Sequence, residues 1–274
     1  MCLILFAYHQ HPRYPLILAA NRDEYFQRPS APANFWAEYP DLLAGKDLAE
    51  GGTWLGVTRQ GRLAVITNYR DGQPGTTFTR SRGKLTLDYL TAVTAPRDYL
   101  QQLHCHRTQY NGFNLLVGDC QELYYYSNRQ GDIRALKPGI YGLSNHLLNT
   151  PWPKVKAGRD SLRQAIEKLP DTSALWSFLQ SPNQAPDHQL PDTGVPLEWE
   201  RLLSAAFIDS DDYGTRASTL LLIDNEGEVS FTELSYTKPL ASAPSRPVDN
   251  RVEISFSLDS SDRLASSASA QAET

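Results

Sequence analysis

The sequence predicts an α+β fold made mainly of antiparallel sheets. Three observations carry this: apolar runs of strand length that come in pairs joined by turn residues, helical periodicity in separate blocks between those pairs, and no regular βαβ alternation. Cys2–Tyr8 is almost wholly apolar; after the His11-Pro12-Arg13 turn a second apolar run covers Pro15–Ala20, so the two read as a hairpin of buried strands. The polar block Asn21-Arg22-Asp23-Glu24 follows directly. Trp54–Thr58 and Leu63–Asn68, split by Gly61, predict a second hairpin. Leu85, Leu87, Tyr89, Leu90 and Val93 form a helical stripe that stops at Pro96, and Tyr99, Leu100 and Leu103 form another that starts there. Phe113–Val117, Leu123–Ser127 and Ile140–Ser144 return to strands. Val155, Gly158, Leu162, Ala165, Ile166 and Leu169 mark one face of a helix, with a further helix around Trp176–Leu179. Ser181–Leu197 is Pro-rich and reads as an ordered loop. Ser218–Ile223 and Val229–Phe231 predict a late hairpin, and Val252, Ile254, Phe256 and Leu258 alternate as a last strand. One domain is therefore expected over residues 1–258, with a disordered Ser/Ala-rich tail over 259–274.

The chain has 274 residues, enough to bury a core without disulfides or a structural metal. With 26 Lys plus Arg against 31 Asp plus Glu, its net charge of −5 argues against a nucleic-acid binder, which carries a basic stripe. No apolar run approaches the ~20 residues of a membrane helix, and no basic segment precedes the first run, so neither a membrane span nor a secretory signal is expected. The three cysteines lack disulfide or zinc spacing, which fits a reducing, cytoplasmic compartment. Dinucleotide and Walker motifs are absent, and His104-Cys105-His106 has no second cluster to complete a metal site. No metal is expected.

Cys2 is the most informative residue. Removal of Met1 would leave one residue holding both a thiol nucleophile and an α-amine whose ordinary pKa, ~7.7–8.0, lets it take the thiol's proton near neutrality. By position alone Cys2 reads rather as a small apolar residue opening a strand. If the first two runs pair, Asn21–Glu24 lies beside Cys2; Asp23 could then hold the amine, and Arg22 could lower the thiol pKa or grip an anion, with Asn21 nearby. Strand alternation sends Arg22 and Asp23 to opposite faces, so both reach Cys2 only at a bulge or a strand end. A solvated turn is the other reading of this block. Asn68 and Asn145 end apolar runs and could donate to a developing oxyanion, or be turn asparagines. Arg216, before a buried run, could bind an anion or support Asp23, or be an ordinary surface arginine.

Asn21-Arg22-Asp23-Glu24 resembles the signature of the NRDE family, also called transport and Golgi organisation protein 2 homologues. The resemblance continues through Met1-Cys2, Arg28-Pro29, Phe35-Trp36, Ala44–Asp47, Gly51–Gly56 and Thr67–Arg70. It extends to Gly142–Asn145, Thr150–Lys154, Pro191–Val195 and Tyr213–Arg216, in order along the chain. It implies an Ntn-hydrolase-like αββα sandwich, distantly related to choloylglycine hydrolases and penicillin V acylases. In those enzymes an N-terminal cysteine attacks a non-peptide amide, helped by an arginine, an aspartate, two asparagines and a second arginine. By the same resemblance Cys2, Asp23, Asn68, Asn145 and Arg216 take catalytic places, with Asn21 and Arg22 as substrate-binding residues. Arg22 departs from the pattern, since there the first arginine and the aspartate are not adjacent. The resemblance implies an Ntn-type amidohydrolase of a small amide or N-acyl compound with no cofactor. Its alternatives are a non-catalytic carrier of haem or acyl-CoA on the same fold and an interaction module with a vestigial pocket. For haem, Cys2, His9 and His11 would be the donors near the site.

Overall fold

In a computed structural model, residues 2–71, 80–237 and 248–259 are described. They form two antiparallel sheets stacked face to face with helices outside each. The first sheet contains β1 (Cys2–Tyr8), β2 (Leu16–Tyr25), β10 (Gly139–Leu143), β11 (Tyr213–Ile223), β12 (Glu228–Tyr236) and β13 (Val248–Ser257). Its order is β10-β1-β2-β11-β12-β13. The second runs in simple sequence order through β3 (Ser30–Trp36), β4 (Tyr39–Asp47), β5 (Leu55–Thr58), β6 (Leu63–Asn68), β7 (Phe113–Gly118), β8 (Leu123–Ser127) and β9 (Ile133–Ala135). Helices α1 (Gly83–Thr91) and α2 (Pro96–Cys105) cover the second sheet; α3 (Pro153–Ile166) and α4 (Ser173–Leu179) cover the first. A short α5 (Leu197–Ser204) follows the Pro-rich loop. The α+β sandwich, layered α–β–β–α, is the architecture expected above.

Burial on both faces explains why the first two runs are almost continuously apolar. Ile4, Phe6, Leu16, Leu18 and Ala20 point between the sheets. Their alternates Leu3, Leu5, Ile17 and Ala19 pack under α3 and α4 beside Val155, Leu162 and Leu179. On the second sheet Leu42, Ala44, Ala64 and Leu115 meet Leu85, Tyr89 and Leu100 of α1 and α2. At Gly158 a side chain would meet Leu5 at 2.7 Å, so glycine sets how closely α3 approaches β1.

Two expectations change. Asn21–Glu24 is not a polar block after a strand: β2 runs through it to Tyr25. Arg216 does not precede a strand but lies within β11, at the irregularity between Thr215 and Ala217 where β11 pairs with β2. Strands β3, β4 and β9 and helix α5 were not anticipated. The expected tail beyond Asp259 lies outside the described residues.

Candidate active site

Pairing of β1 with β2 places Cys2 directly opposite Arg22, so the hairpin brings the first strand's start to the second strand's end. Alternation then sorts the block. Asn21 faces the helical layer: its Nδ2 donates to Leu179 O and Ala206 O, each at 2.7 Å, and its Oδ1 accepts from Ser218 Oγ at 2.6 Å. This side chain is a tie between β2, β11 and the segment around α4. Arg22 faces between the sheets, its guanidinium 4.2 Å over the Trp54 ring and its Nη2 3.9 Å from Asp47. Asp47 in turn accepts from Arg28 Nε at 2.8 Å.

Asp23 is 1% exposed and accepts from Thr215 Oγ1 at 2.8 Å through Oδ1. Tyr213 OH donates to its carbonyl at 3.1 Å, and its own backbone N–H hydrogen-bonds the Cys2 thiol. Arg22 and Asp23 line one cleft with Cys2, at the end of the hairpin and beside the irregularity in β11. Burial pushes the Cys2 thiol up from its ordinary pKa, Asp23 adding to this and Arg22 opposing it.

Cys2, Arg22, Asp23, Trp54, Asn68 and Arg82 contribute to the wall of a cleft of about 470 Å³. Asn68 ends β6 in one sheet and Asn145 lies just past β10 in the other; Asn145 Nδ2 donates to Asn68 O at 2.9 Å and joins them. Ser144 Oγ, 3.0 Å from Cys2 O and 3.3 Å from Asn145 Oδ1, extends the link to the nucleophile's own backbone. Asn145 is fully buried, whereas Asn68 lines the cleft. Among the described residues the Asn68 carboxamide makes no hydrogen bond. Arg216 donates from Nη1 to the carbonyls of Tyr25, Phe26 and Arg28 at 3.0, 3.2 and 3.1 Å, and so holds the turn between β2 and β3.

Several site residues had no role in the sequence reading. Trp54 carries Arg22, and Arg82 lines the cleft while donating to Gly112 O at 3.0 Å. Lys154 is buried with Nζ 3.5 Å from Ala205 O; burial lowers its pKa and Asp23 works against that. Trp54 and Lys154 stand inside motifs noted above, so their positions were visible although their roles were not. His9 and His11 are not beside Cys2: they follow the far end of β1, roughly 20 Å away at ~3.3 Å per residue. Among the described residues no group of three or more His, Cys, Asp or Glu could hold a metal, and no helix is long and apolar enough to cross a membrane.

The chain is 38% identical over 269 residues to a Transport and Golgi organization protein 2 homolog from Bos taurus, covering 90% of this chain and 96% of the relative. It is 39% identical over 258 residues to the Homo sapiens homolog, covering 86% and 93%. Among solved structures, a Caenorhabditis elegans N-acylethanolamine-hydrolyzing acid amidase ortholog is similar with TM-score 0.46 at 10% identity, over 81% of this chain and 92% of that one. A conjugated bile acid hydrolase from Clostridium perfringens is similar with TM-score 0.43 at 9% identity, over 94% and 97%. Residues 1–238 match the family described as Transport and Golgi organisation 2, and with relatives this similar over nearly their whole length the chain belongs to that family.

Proposed function

We propose that this protein is an N-terminal-nucleophile cysteine hydrolase that cleaves the C–N bond of a small amide or N-acyl compound in the cytoplasm. The observation that carries the reading is the placement of Cys2 at a cleft wall opposite Arg22, with the buried Asp23 beside it and Asn68 within the same cleft. Met1 is removed first, freeing the α-amine of Cys2. Because burial holds the thiol protonated, attack requires a base, and the amine of the same residue supplies it. Sulfur adds to the carbonyl carbon and the Asn68 carboxamide donates to the developing oxyanion. The leaving nitrogen takes the proton and departs, leaving a thioester; water, deprotonated by the same amine, then releases the acid and restores the thiol. Asp23 holds the amine in place, and Arg22 favours the thiolate.

The test is a panel of N-acyl compounds assayed with the native chain, with intact mass recorded first. Loss of Met1, a transient mass increase equal to one acyl group, and no turnover by Cys2→Ala are expected. A Cys2→Ala variant that turns over normally overturns the reading.

One observation favours a second reading. Four arginines line the cleft beside four carboxylates; Asp47 pairs with Arg22 and Arg28, while Arg80 and Arg82 add donors suited to a phosphate group and therefore to an acyl-CoA held without turnover rather than to haem. Calorimetric titration with an acyl-CoA and absorbance titration with haem separate the two: micromolar acyl-CoA binding without hydrolysis favours the carrier, and a Soret shift favours haem.

A further inference from the structure

The space between the sheets is apolar along most of its length, yet polar residues gather on two successive rungs at the Cys2 end, Arg22 lying opposite Ala217 and Thr219 opposite Ala20. Four neighbouring strands each turn such a residue inward: Cys2 on β1, Arg22 on β2, Thr219 on β11 and Glu233 on β12. Cys2 faces Arg22 across one ladder and Thr219 faces Glu233 across another. Their same-face neighbours Ile4, Ala20, Leu221 and Phe231 all belong to the core between the sheets.

Glu233 is 1% exposed. Its Oε1 accepts from Ala33 N of the opposite sheet at 2.8 Å, and its Oε2 accepts from Thr219 Oγ1 at 3.4 Å. Arg22 is 6% exposed, and among the described residues its buried Nη1 has no hydrogen-bond partner. Two small chambers connect the rungs. One of about 160 Å³ has Arg22, Trp54 and Glu233 in its wall. The other, about 10 Å³, adjoins Cys2 and is walled in part by Arg22 and Thr219. Space of that size suits a single water, and the thiol, guanidinium and hydroxyl around it supply polar partners.

We propose that Glu233 is a positioning residue for Cys2: through Arg22, and through a water held among Arg22, Thr219 and Cys2, its charge state sets how readily the thiol ionises. This rests on the reading of Cys2 as the nucleophile. With Glu233 protonated, Asp47 is the carboxylate that draws on the Arg22 charge and the guanidinium supports the thiolate; with Glu233 ionised, a second carboxylate competes for the guanidinium and the thiolate loses support. Burial holds the carboxyl up at about 7, against the Ala33 N–H, Thr219 and Arg22, so the change falls near neutrality. Arg216 and Tyr236 face the larger chamber with Glu233, and Asp47 of β4 faces Arg22.

Alkylation of Cys2 by iodoacetamide, followed site by site by peptide mass spectrometry from pH 5.5 to 9.5 on the full chain, tests this. The wild-type curve is expected to depart from a single titration near pH 7. Glu233→Gln should lose the departure near pH 7 while keeping any step from the α-amine of Cys2, with similar rates at pH 6 and alkylation about 3- to 10-fold faster at pH 8, equivalent to half to one pKa unit. Carbon-13 titration of Glu233 in the wild type covers the case in which the variant does not fold: its midpoint should coincide with the departure in the Cys2 curve. Superimposable curves for the two proteins, or a Glu233 midpoint that leaves no mark on the Cys2 curve, overturn the proposal. Because no substrate enters the assay, a coupled thiol in a chain that hydrolyses nothing removes the hydrolase reading alone.

Discussion

Asn68 and Asn145 have the same side chain and sit in different chemistry. Asn145 is buried and its Nδ2 is engaged by Asn68 O at 2.9 Å, while the Asn68 carboxamide opens on the cleft without a protein partner among the described residues. Asn68→Ala is therefore expected to leave stability within about 0.5 kcal/mol and to reduce turnover by roughly 10²–10³. Asn145→Ala removes a buried donor and leaves the Asn68 carbonyl short of its partner, at a cost of about 1–3 kcal/mol. It should also reduce turnover, because it frees the end of β6. Urea unfolding beside steady-state kinetics checks the split: a loss of stability for Asn145→Ala without one for Asn68→Ala is the expected pattern. Equal melting of both variants would mean that the carboxamide of Asn68 is bound after all.

Elements at the site are held by buried charges that periodicity does not reveal. Arg70, just past β6, donates its N–H to Asn145 O at 2.7 Å, and its side chain pairs with Glu200 of α5 at 3.0 Å. Thr193 of the Pro-rich loop also donates to Glu200, at 2.9 Å from its backbone N, so the loop and α5 are tied to the Asn145 turn. Glu200→Gln removes the negative charge of a buried ion pair, and a loss of about 3–5 kcal/mol in denaturant unfolding is expected. The double replacement by methionine should recover much of it. Gly45 gives a second element-level prediction. A side chain there would meet the Trp54 ring at 2.4 Å, so Gly45→Ala displaces the indole from Arg22 and should cost about 1–3 kcal/mol, with a shift in tryptophan emission. Hairpins and helices with clear periods were legible in the sequence: β1, β5, β6, β8, α1 and α2 fall within a residue or two of expectation, and α3 ends at Ile166, three residues before the expected Leu169. Strands β3 and β4 were not, since their outer ends are polar or exposed and two register shifts break the alternation between them. Cys2 beside Arg22 followed from pairing two apolar runs. The Arg70–Glu200 tie could not follow, because it joins residues 130 positions apart through no local pattern.

For the molecule as a whole, the two sheets are stitched at the Cys2 end by a buried carboxyl in a largely apolar interior. Glu233 of β12 binds Ala33 N of β3, and burial raises its proton affinity from an ordinary 4.5 to about 7. In the unfolded chain the same group ionises near 4.5, so between the two values the folded state binds more protons. Stability therefore falls as pH rises across that window and is flat with respect to this group on either side. The span corresponds to roughly 3 kcal/mol as an upper figure, at 1.36 kcal/mol per pKa unit. Carboxylates held below their ordinary range act in the opposite sense at lower pH, but Asp171 and Asp187, whose hydrogen bonds lower them, are solvent-exposed and contribute little. Thermal melts from pH 4.5 to 8 should show the wild type losing ground to Glu233→Gln as pH rises, with the difference levelling above about pH 8. The glutamine keeps an acceptor for Ala33 N and carries no titrating proton, so its curve should be flatter through neutrality. A constant gap between the two melts at every pH would place the Glu233 proton outside the folding equilibrium. In that case the polar rungs at the Cys2 end would be a packing feature with no charge to report.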